Sequence, residues 1–215
     1  MPDFRQDFIS FAIEHDVLQF GEFQTKAGRL SPYFFNAGLI NSGVSLKQLG
    51  QFYAQAILAA NIPFDMLYGP AYKGIPLAAS TAIALVELGC NVPFCFNRKE
   101  AKNHGEGGSI VGAKLRGRVL IIDDVISAGT SVRESITTIR AAGASPCGVA
   151  IALDRMELGQ GEMSAAQEVQ HNFDIPVVSI ATLDDLLGYL QEHTGMVQYL
   201  NAVKTYRDRY GVKHG

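Results

Sequence analysis

The clearest structural signal in the chain is the stretch Val119-Leu-Ile-Ile-Asp-Asp-Val-Ile-Ser-Ala-Gly-Thr-Ser131. Its four apolar residues, 119–122, predict a short strand that is buried on both faces, and two acids follow directly at its carboxyl end. A turn of small residues comes next, and the pattern after it predicts a helix from near Ser131 to Ala142. A buried strand that leads through a tight turn into a helix is typical of a parallel α/β sheet.

The turn between this strand and helix suits a bound phosphate. Backbone N–H groups of a tight turn and of a helix N-terminus point at an anion, and Gly129 lets the main chain approach it closely. Further donors are the hydroxyls of Ser127, Thr130 and Ser131. The carboxylates of Asp123 and Asp124 repel a phosphate but suit the vicinal hydroxyls of a ribose. A plain strand end with a helix cap is the simpler interpretation, but this combination in one window favours an anion site.

The rest of the chain repeats the alternation of strand and helix. An amphipathic helix is predicted near residues 3–15 and another from Ser45 to Ala60, with a helical segment from Thr182 to Tyr210 at the end. Strands are predicted at Leu18–Phe23, Ser31–Gly38, Met66–Tyr68, Pro93–Phe96, Val149–Leu153 and Val177–Ile180. We therefore predict an α/β fold in which a Rossmann-like parallel sheet is flanked by helices, with a small N-terminal elaboration.

Composition excludes several classes of function. The 215 residues have a formal net charge of -3, with 47% hydrophobic and 18% charged residues. This balance is not that of a nucleic-acid-binding or a disordered protein. No apolar run reaches the roughly 18 residues that span a bilayer, and acids near the N-terminus do not suit a signal peptide. The three cysteines form no CxxC pair. We expect a cytoplasmic protein with no nucleic-acid or membrane partner.

Two further segments follow predicted strands, where a parallel sheet binds its ligands. Gly69-Pro-Ala-Tyr-Lys-Gly74 is a glycine-bounded loop whose lysine suits a diphosphate. It has the spacing of a P-loop, but Ile75 and Pro76 stand where lysine and serine or threonine are required. The second segment, Asn97–Gly108, combines cations with glycines, a composition typical of a lid that closes over an anion. Its cations are Arg98, Lys99, Lys102 and His104.

Together these segments resemble the type I phosphoribosyltransferases, and the basic loop most closely resembles that of the orotate phosphoribosyltransferases. The resemblance extends from the first helix to about Val212, and Ser127 keeps the hydroxyl where many members carry threonine. It implies transfer of the 5-phosphoribosyl group from phosphoribosyl diphosphate to orotate, giving orotidine 5'-phosphate and diphosphate in the de novo synthesis of UMP. It also implies one domain over residues 1–215, of which residues 1–40 form a hood over the base.

The resemblance further implies roles for individual residues. Phosphoribosyl diphosphate is expected to contact Lys26, Tyr72, Lys73, Arg98, Lys99, Lys102, His104, Asp123, Asp124, Val125, Ile126, Ser127, Ala128, Gly129, Thr130 and Ser131. The residues expected to act directly in catalysis are Lys99, Lys102, His104 and Asp124. Orotate is expected to lie between Phe34 and Phe35 and beside Ser127, with its carboxylate gripped by the guanidinium of Arg155.

Cofactor and assembly are implied in the same way. Mg²⁺ is expected as the cofactor, held mainly by the diphosphate of the substrate rather than by a metal site in the protein. A homodimer is expected, in which loop 98–108 is shared between the subunits.

Two alternatives stay open on the sequence. A purine phosphoribosyltransferase would share the Asp123–Ser131 turn, but it has no evident use for Arg155 or for this basic loop. A regulator that keeps the fold, senses phosphoribosyl diphosphate and binds nucleic acid is a different class of protein. The negative net charge and the complete basic loop argue against it.

Overall fold

The computed structural model describes residues 3–25, 28–102, 108–159 and 161–212, and for residues 101, 102 and 108 it describes the backbone alone. The helices are α1 Phe4–Glu14, α2 Gly43–Ala59, α3 Gly74–Glu87, α4 Thr130–Ala141, α5 Ala165–Phe173, α6 Leu183–Glu192 and α7 Val197–Tyr210. The strands are β1 Leu18–Gln24, β2 Leu30–Phe35, β3 Met66–Gly69, β4 Phe94–Lys102, β5 Gly108–Gly112, β6 Arg118–Ile122, β7 Ser145–Asp154 and β8 Val177–Thr182.

A six-stranded sheet with the order β5-β4-β3-β6-β7-β8 forms the centre of the fold. Neighbouring strands from β4 to β8 are parallel, which confirms the predicted Rossmann-like α/β sheet. A separate antiparallel pair, β1 and β2, forms the N-terminal elaboration. The acids of the 119–131 stretch therefore lie at the carboxyl edge of the sheet, between the ends of β3 and β7.

The apolar run of β6 is continuous because helices cover both faces of the sheet. Val119 and Ile121 belong to a core cluster that includes residues of α4 and α5. Leu120 and Ile122 belong to the other cluster, with α1, α2, α3, α6 and α7. Side chains of a strand alternate between faces, so all four positions must be apolar. The strand is held in one register by burial on both sides.

The sheet also has an antiparallel edge strand, which the sequence analysis did not predict. Strand β5 pairs with β4, with Ile110 opposite Asn97 and Gly112 opposite Cys95. The predicted lid segment 97–108 thus begins and ends as the two arms of a hairpin, while residues 103–107 lie outside the described ranges. The cations Arg98, Lys99 and Lys102 lie on β4 beyond Phe96, where β4 extends past its pairing with β3 and has a strand on one side only. Charged side chains are common where one side of a strand is unpaired, so a cationic segment is compatible with this part of β4.

The C-terminal segment differs slightly from its prediction. The helical stretch predicted from Thr182 to Tyr210 is divided into α6 and α7 by a short 3-10 turn at Thr194–Met196. His193 ends α6, and its Nδ1 lies 2.8 Å from the carbonyl oxygen of Tyr189. Across the described ranges, every helix falls short of the length and hydrophobicity that a membrane span requires.

Candidate active site

The two acids after β6 shape their own turn. The N–H of Asp124 donates to Asp123 Oδ1 at 2.9 Å, and the N–H of Val125 donates to Asp124 Oδ1 at 2.9 Å. The hydroxyl of Ser131 donates to Asp123 Oδ2 at 2.8 Å. The hydroxyl of Tyr53, on α2, donates to the carbonyl oxygen of Asp123 at 2.7 Å. Asp123 therefore links the end of β6 to the first turn of α4.

The first turn of α4 forms a cradle of backbone donors. Gly129 precedes the helix with φ 67°, a conformation that glycine adopts without strain, and no side chain of the described residues caps the helix at this position. The first N–H groups of a helix have no partner within it, so an anion can receive them. Arg133 adds positive charge beside the turn, because its Nη2 donates to the carbonyl oxygen of Ala128 at 2.7 Å.

The loop between β3 and α3 is tightly folded and is joined to the acids. A Cβ on Gly69 would overlap the carbonyl oxygen of Gly74, so this position requires glycine. Lys73 Nζ lies 2.7 Å from Asp124 Oδ2. The N–H of Ala71 donates to Asn97 Oδ1 at 2.6 Å, across to β4. The structure thus brings the two predicted anion-binding loops into contact at the carboxyl edge of the sheet.

The described part of the basic segment approaches this loop. Lys99, on β4, has its Nζ 4.8 Å from the centroid of the Tyr72 ring, and both side chains are exposed. Arg98 on the same strand is partly buried. Lys102 is the last residue of β4, and its side chain lies outside the described part of the structure. Lys26 and His104 lie outside the described residues altogether.

At another part of the carboxyl edge, the end of β7 contacts the hairpin formed by β1 and β2. The guanidinium carbon of Arg155 lies 4.3 Å from the centroid of the Tyr33 ring, and its Nη2 donates to Ser31 Oγ at 3.0 Å. The residues in contact are more than 120 positions apart in the chain. The hairpin therefore closes over the carboxyl edge of the sheet at the residue expected to grip orotate.

Phe34 and Phe35 lie on opposite faces of β2, as neighbouring residues of a strand must. The ring of Phe34 is 40% exposed and stacks on Phe23 with 5.4 Å between centroids. The ring of Phe35 is 6% exposed and packs in the core against Phe8. The two rings therefore cannot both face the same base.

Burial changes the acidity of Asp123. The residue is 7% exposed, and burial, together with the neighbouring charge of Asp124, raises the pKa of its carboxyl group to about 6. The folded state thus disfavours the ionised form of a carboxylate that it nevertheless orients with two hydrogen bonds. A buried carboxylate that is costly to ionise in the folded state is typical of a site that is shaped for a ligand rather than for stability.

Asp123→Asn is expected to stabilise the ligand-free protein at neutral pH. Because the pKa of Asp123 is raised in the folded state, ionisation favours the unfolded chain. The resulting loss in the free energy of unfolding is small below pH 4, grows as the pH rises toward 6, and is constant well above pH 6. We expect a gain of about 3 kcal/mol at pH 7.5, the energy of a shift of about two pKa units. Urea titrations of both proteins from pH 4 to pH 8 measure it. A gain that did not grow with pH would contradict the electrostatic origin.

Two of the residues that shape the site received no role in the sequence analysis. Tyr53 lies in the middle of α2, where its apolar ring matches the helical pattern and its hydroxyl gives no separate signal. Asn97 directly follows the predicted strand at 93–96, and a polar residue there was a usable signal. Neither residue is expected to contact substrate. Each forms a hydrogen bond with the backbone of one of the two loops, Tyr53 with Asp123 and Asn97 with Ala71.

Comparisons with known proteins agree with this arrangement. Residues 40–177 match the family model for the phosphoribosyl transferase domain. The orotate phosphoribosyltransferase of Nitrosospira multiformis is 68% identical over 210 residues, which cover 98% of this chain and 92% of the relative. The crystal structure of the Francisella tularensis orotate phosphoribosyltransferase superposes with a TM-score of 0.86 at 39% identity, covering 95% of this chain and 99% of that one.

A more distant structure shares the fold. The Mycobacterium tuberculosis orotate phosphoribosyltransferase in complex with phosphoribosyl diphosphate has a TM-score of 0.64 at 20% identity, over 86% of this chain and 99% of that one. The near-complete coverage and high identity of the closer relatives leave neither the purine enzymes nor a nucleic-acid-binding regulator as the better match. The chain belongs to the orotate phosphoribosyltransferases, the enzymes that transfer a phosphoribosyl group to orotate in pyrimidine biosynthesis.

Proposed function

We propose that the carboxyl edge of the sheet binds phosphoribosyl diphosphate in three parts. The turn from Asp124 to Ser131 holds the 5-phosphate through backbone N–H groups and hydroxyls. Asp123 and Asp124 accept hydrogen bonds from the ribose hydroxyls. The leaving diphosphate is bound by Lys26, Tyr72, Lys73, Arg98, Lys99, Lys102 and His104. The observation that supports this division is the 2.7 Å ion pair between Lys73 and Asp124, because it joins the loop between β3 and α3 to the acids that follow β6.

The residues act mainly through position and charge. When the bond to diphosphate lengthens, negative charge grows on the leaving group and positive charge on the ribose. Lys99, Lys102 and His104 stabilise the first, and the carboxylate of Asp124 faces the second. Holding the base and the ribose in line lowers the entropic part of the barrier. No covalent intermediate with the protein is needed.

Orotate lies on the hairpin side of the same edge. Arg155 binds its carboxylate, the exposed ring of Phe34 covers one face of the base, and the hydroxyl of Ser127 borders it. The backbone of Phe35 completes the contact. We infer that residues 1–40 act as a hood within one domain of residues 1–215, because α1 and β2 contribute to the same core cluster as the sheet.

Mg²⁺ is inferred as the cofactor. Within the described ranges, His, Cys, Asp and Glu form no group of three that could hold a metal ion, and Asp124 is engaged with Lys73. This donor set suits a hard cation that is bound mostly by substrate oxygens and water, with Asp123 and Asp124 at the ribose side. When bound, the ion neutralises charge on the diphosphate. We also infer that the enzyme works in the cytoplasm.

We infer a homodimer whose interface includes α3. An apolar stripe runs along its outer face at helical spacing and consists of Pro76, Ala79, Ile83 and Val86. Ile83 is 65% exposed and Val86 is 53% exposed. Contiguous exposed apolar surface of this kind marks an interface. A twofold dimer built on it would let loop 98–108 of one subunit reach the site of the other.

Ile83→Asp tests this surface and should yield a monomer. The side chain is 65% exposed, so the change spares the fold of the subunit but places two charges in a twofold interface. Light scattering at micromolar concentration measures the mass. Val197→Asp, at an apolar position that is 42% exposed on α7, is the matched control and should leave the mass unchanged. An unaltered mass for Ile83→Asp would place the interface elsewhere.

The overall assignment is tested by base consumption. Purified protein should remove the near-ultraviolet absorbance of orotate only when phosphoribosyl diphosphate and Mg²⁺ are both present. Adenine, guanine and hypoxanthine should remain unchanged under the same conditions. Consumption of a purine in preference to orotate would overturn the proposed base site, and activity after complete removal of divalent cations would overturn the proposed cofactor.

A further inference from the structure

Glu157 lies at the centre of a largely buried polar network that the reaction described above does not use. Its Oε1 accepts hydrogen bonds from Arg155 Nε at 2.7 Å and from the hydroxyl of Tyr206 at 3.0 Å. Its Oε2 lies 3.7 Å from Nη1 of Arg29. The side chains of Glu157 and Arg155 are each 17% exposed. Charge-assisted hydrogen bonds shielded in this way are stronger than surface ion pairs.

This network restricts the orientation of the Arg155 guanidinium. Glu157 holds its Nε edge, Ser31 Oγ receives Nη2 at 3.0 Å, and the ring of Tyr33 covers one face at 4.3 Å. A free arginine side chain has many rotamers, and fixing one of them costs entropy when a ligand binds. An arginine that is already held has less entropy to lose on binding a carboxylate. The adjacent Asp154 instead accepts the N–H of Met156 at 2.8 Å.

The network has an excess of positive charge that suits an anionic ligand. Two guanidinium groups, of Arg29 and Arg155, face one carboxylate. Glu157 therefore orients Arg155 without cancelling the positive charge of the cluster. A carboxylate of the substrate would complete the charge balance. Glu157 also connects distant parts of the chain, since Arg29 precedes β2 in the hairpin and Tyr206 lies on α7.

We propose that Glu157 is a positioning residue for orotate. It holds the guanidinium of Arg155 so that the remaining N–H donors face the carboxylate of the base, and it fixes that orientation to the hairpin through Arg29 and to α7 through Tyr206. The inference rests on the proposed role of Arg155 in binding orotate. It extends base recognition to a residue that does not touch the substrate.

Steady-state kinetics of two Glu157 variants test the inference. Glu157→Ala should raise the KM for orotate about tenfold, on the scale of a misplaced binding group, while the kcat and the KM for phosphoribosyl diphosphate change less than about threefold. Glu157→Gln keeps an oxygen that accepts from Nε, so the increase should shrink to about threefold. A purely structural role would lower the active fraction, hence kcat, and leave both KM values unchanged. That outcome in both variants would overturn the proposal.

A double variant separates this inference from the proposed role of Arg155. In an Arg155→Leu background, Glu157→Ala should raise the orotate KM by no more than about twofold, because its effect passes through the missing guanidinium. If Arg155→Leu alone leaves the orotate KM unchanged, the proposed role of Arg155 is wrong. If Arg155→Leu raises it and neither Glu157 variant does, the Glu157 inference alone fails. Arg207→Gln, which breaks a 2.9 Å ion pair with Asp184, is the control and should change neither KM.

Discussion

Lys102→Ala is expected to lower the turnover of orotate by about 10²-fold or more, the usual effect of removing one electrostatic contact to the transition state. Lys102 ends β4, the strand that also carries Lys99, whose Nζ lies over the ring of Tyr72 in the loop between β3 and α3. Its positive charge would act on the diphosphate as it leaves, when the negative charge is largest. The effect should therefore appear in kcat more than in the KM for either substrate.

The measurement is kcat with both substrates saturating, together with thermal unfolding. Lys114→Ala removes an exposed lysine just beyond β5 and serves as the control for net charge. It should have the turnover of the unaltered protein. Unchanged unfolding with a kcat near that of Lys114→Ala would remove Lys102 from the mechanism.

Mixed dimers test whether the proposed homodimer shares loop 98–108 between its subunits. Lys102→Ala and Asp124→Asn should each be inactive as homodimers. In a mixed dimer with shared loops, one site combines the intact turn of one chain with the intact loop of the other. Random exchange places about half of the molecules in mixed dimers, so about a quarter of all sites should recover. If the subunits exchange and no activity returns, each loop serves its own subunit.

Arg155→Leu is expected to lower kcat/KM for orotate by about 10²-fold while leaving the KM for phosphoribosyl diphosphate within about threefold. A charged pair with a carboxylate that is lost in a closed site costs a few kcal/mol. The Arg155 side chain is 17% exposed, so an apolar leucine suits this largely buried position. Glu157 still has an ion pair with Arg29 after the change.

The measurement is initial rate against each substrate in turn. Arg116→Leu, at an exposed position before β6, is the matched control and should leave both substrates unaffected. Equal losses for orotate and phosphoribosyl diphosphate would make Arg155 a structural residue and would leave the base carboxylate without an identified partner.

The local sequence was sufficient to predict the sheet and the turn of acids, glycine and hydroxyls that follows β6. Four consecutive apolar residues at 119–122 require cover on both faces, and this requirement alone predicts a parallel strand with helices around it. The glycine, hydroxyl and acid positions of 123–131 act through neighbours a few residues away, such as Ser131 on Asp123. Contacts between residues so close in the chain can be predicted from their spacing in the sequence.

Contacts between distant residues depended on the tertiary structure. The meeting of Lys73 with Asp124 and of Arg155 with Ser31 depends on which strands are neighbours, and long crossover connections set that order. Alternation along β2 separates Phe34 from Phe35, but only the packing of α1 against the hairpin places the second ring in the core. The antiparallel edge strand and the network around Glu157 likewise arise from long-range packing, which short-range spacing does not encode.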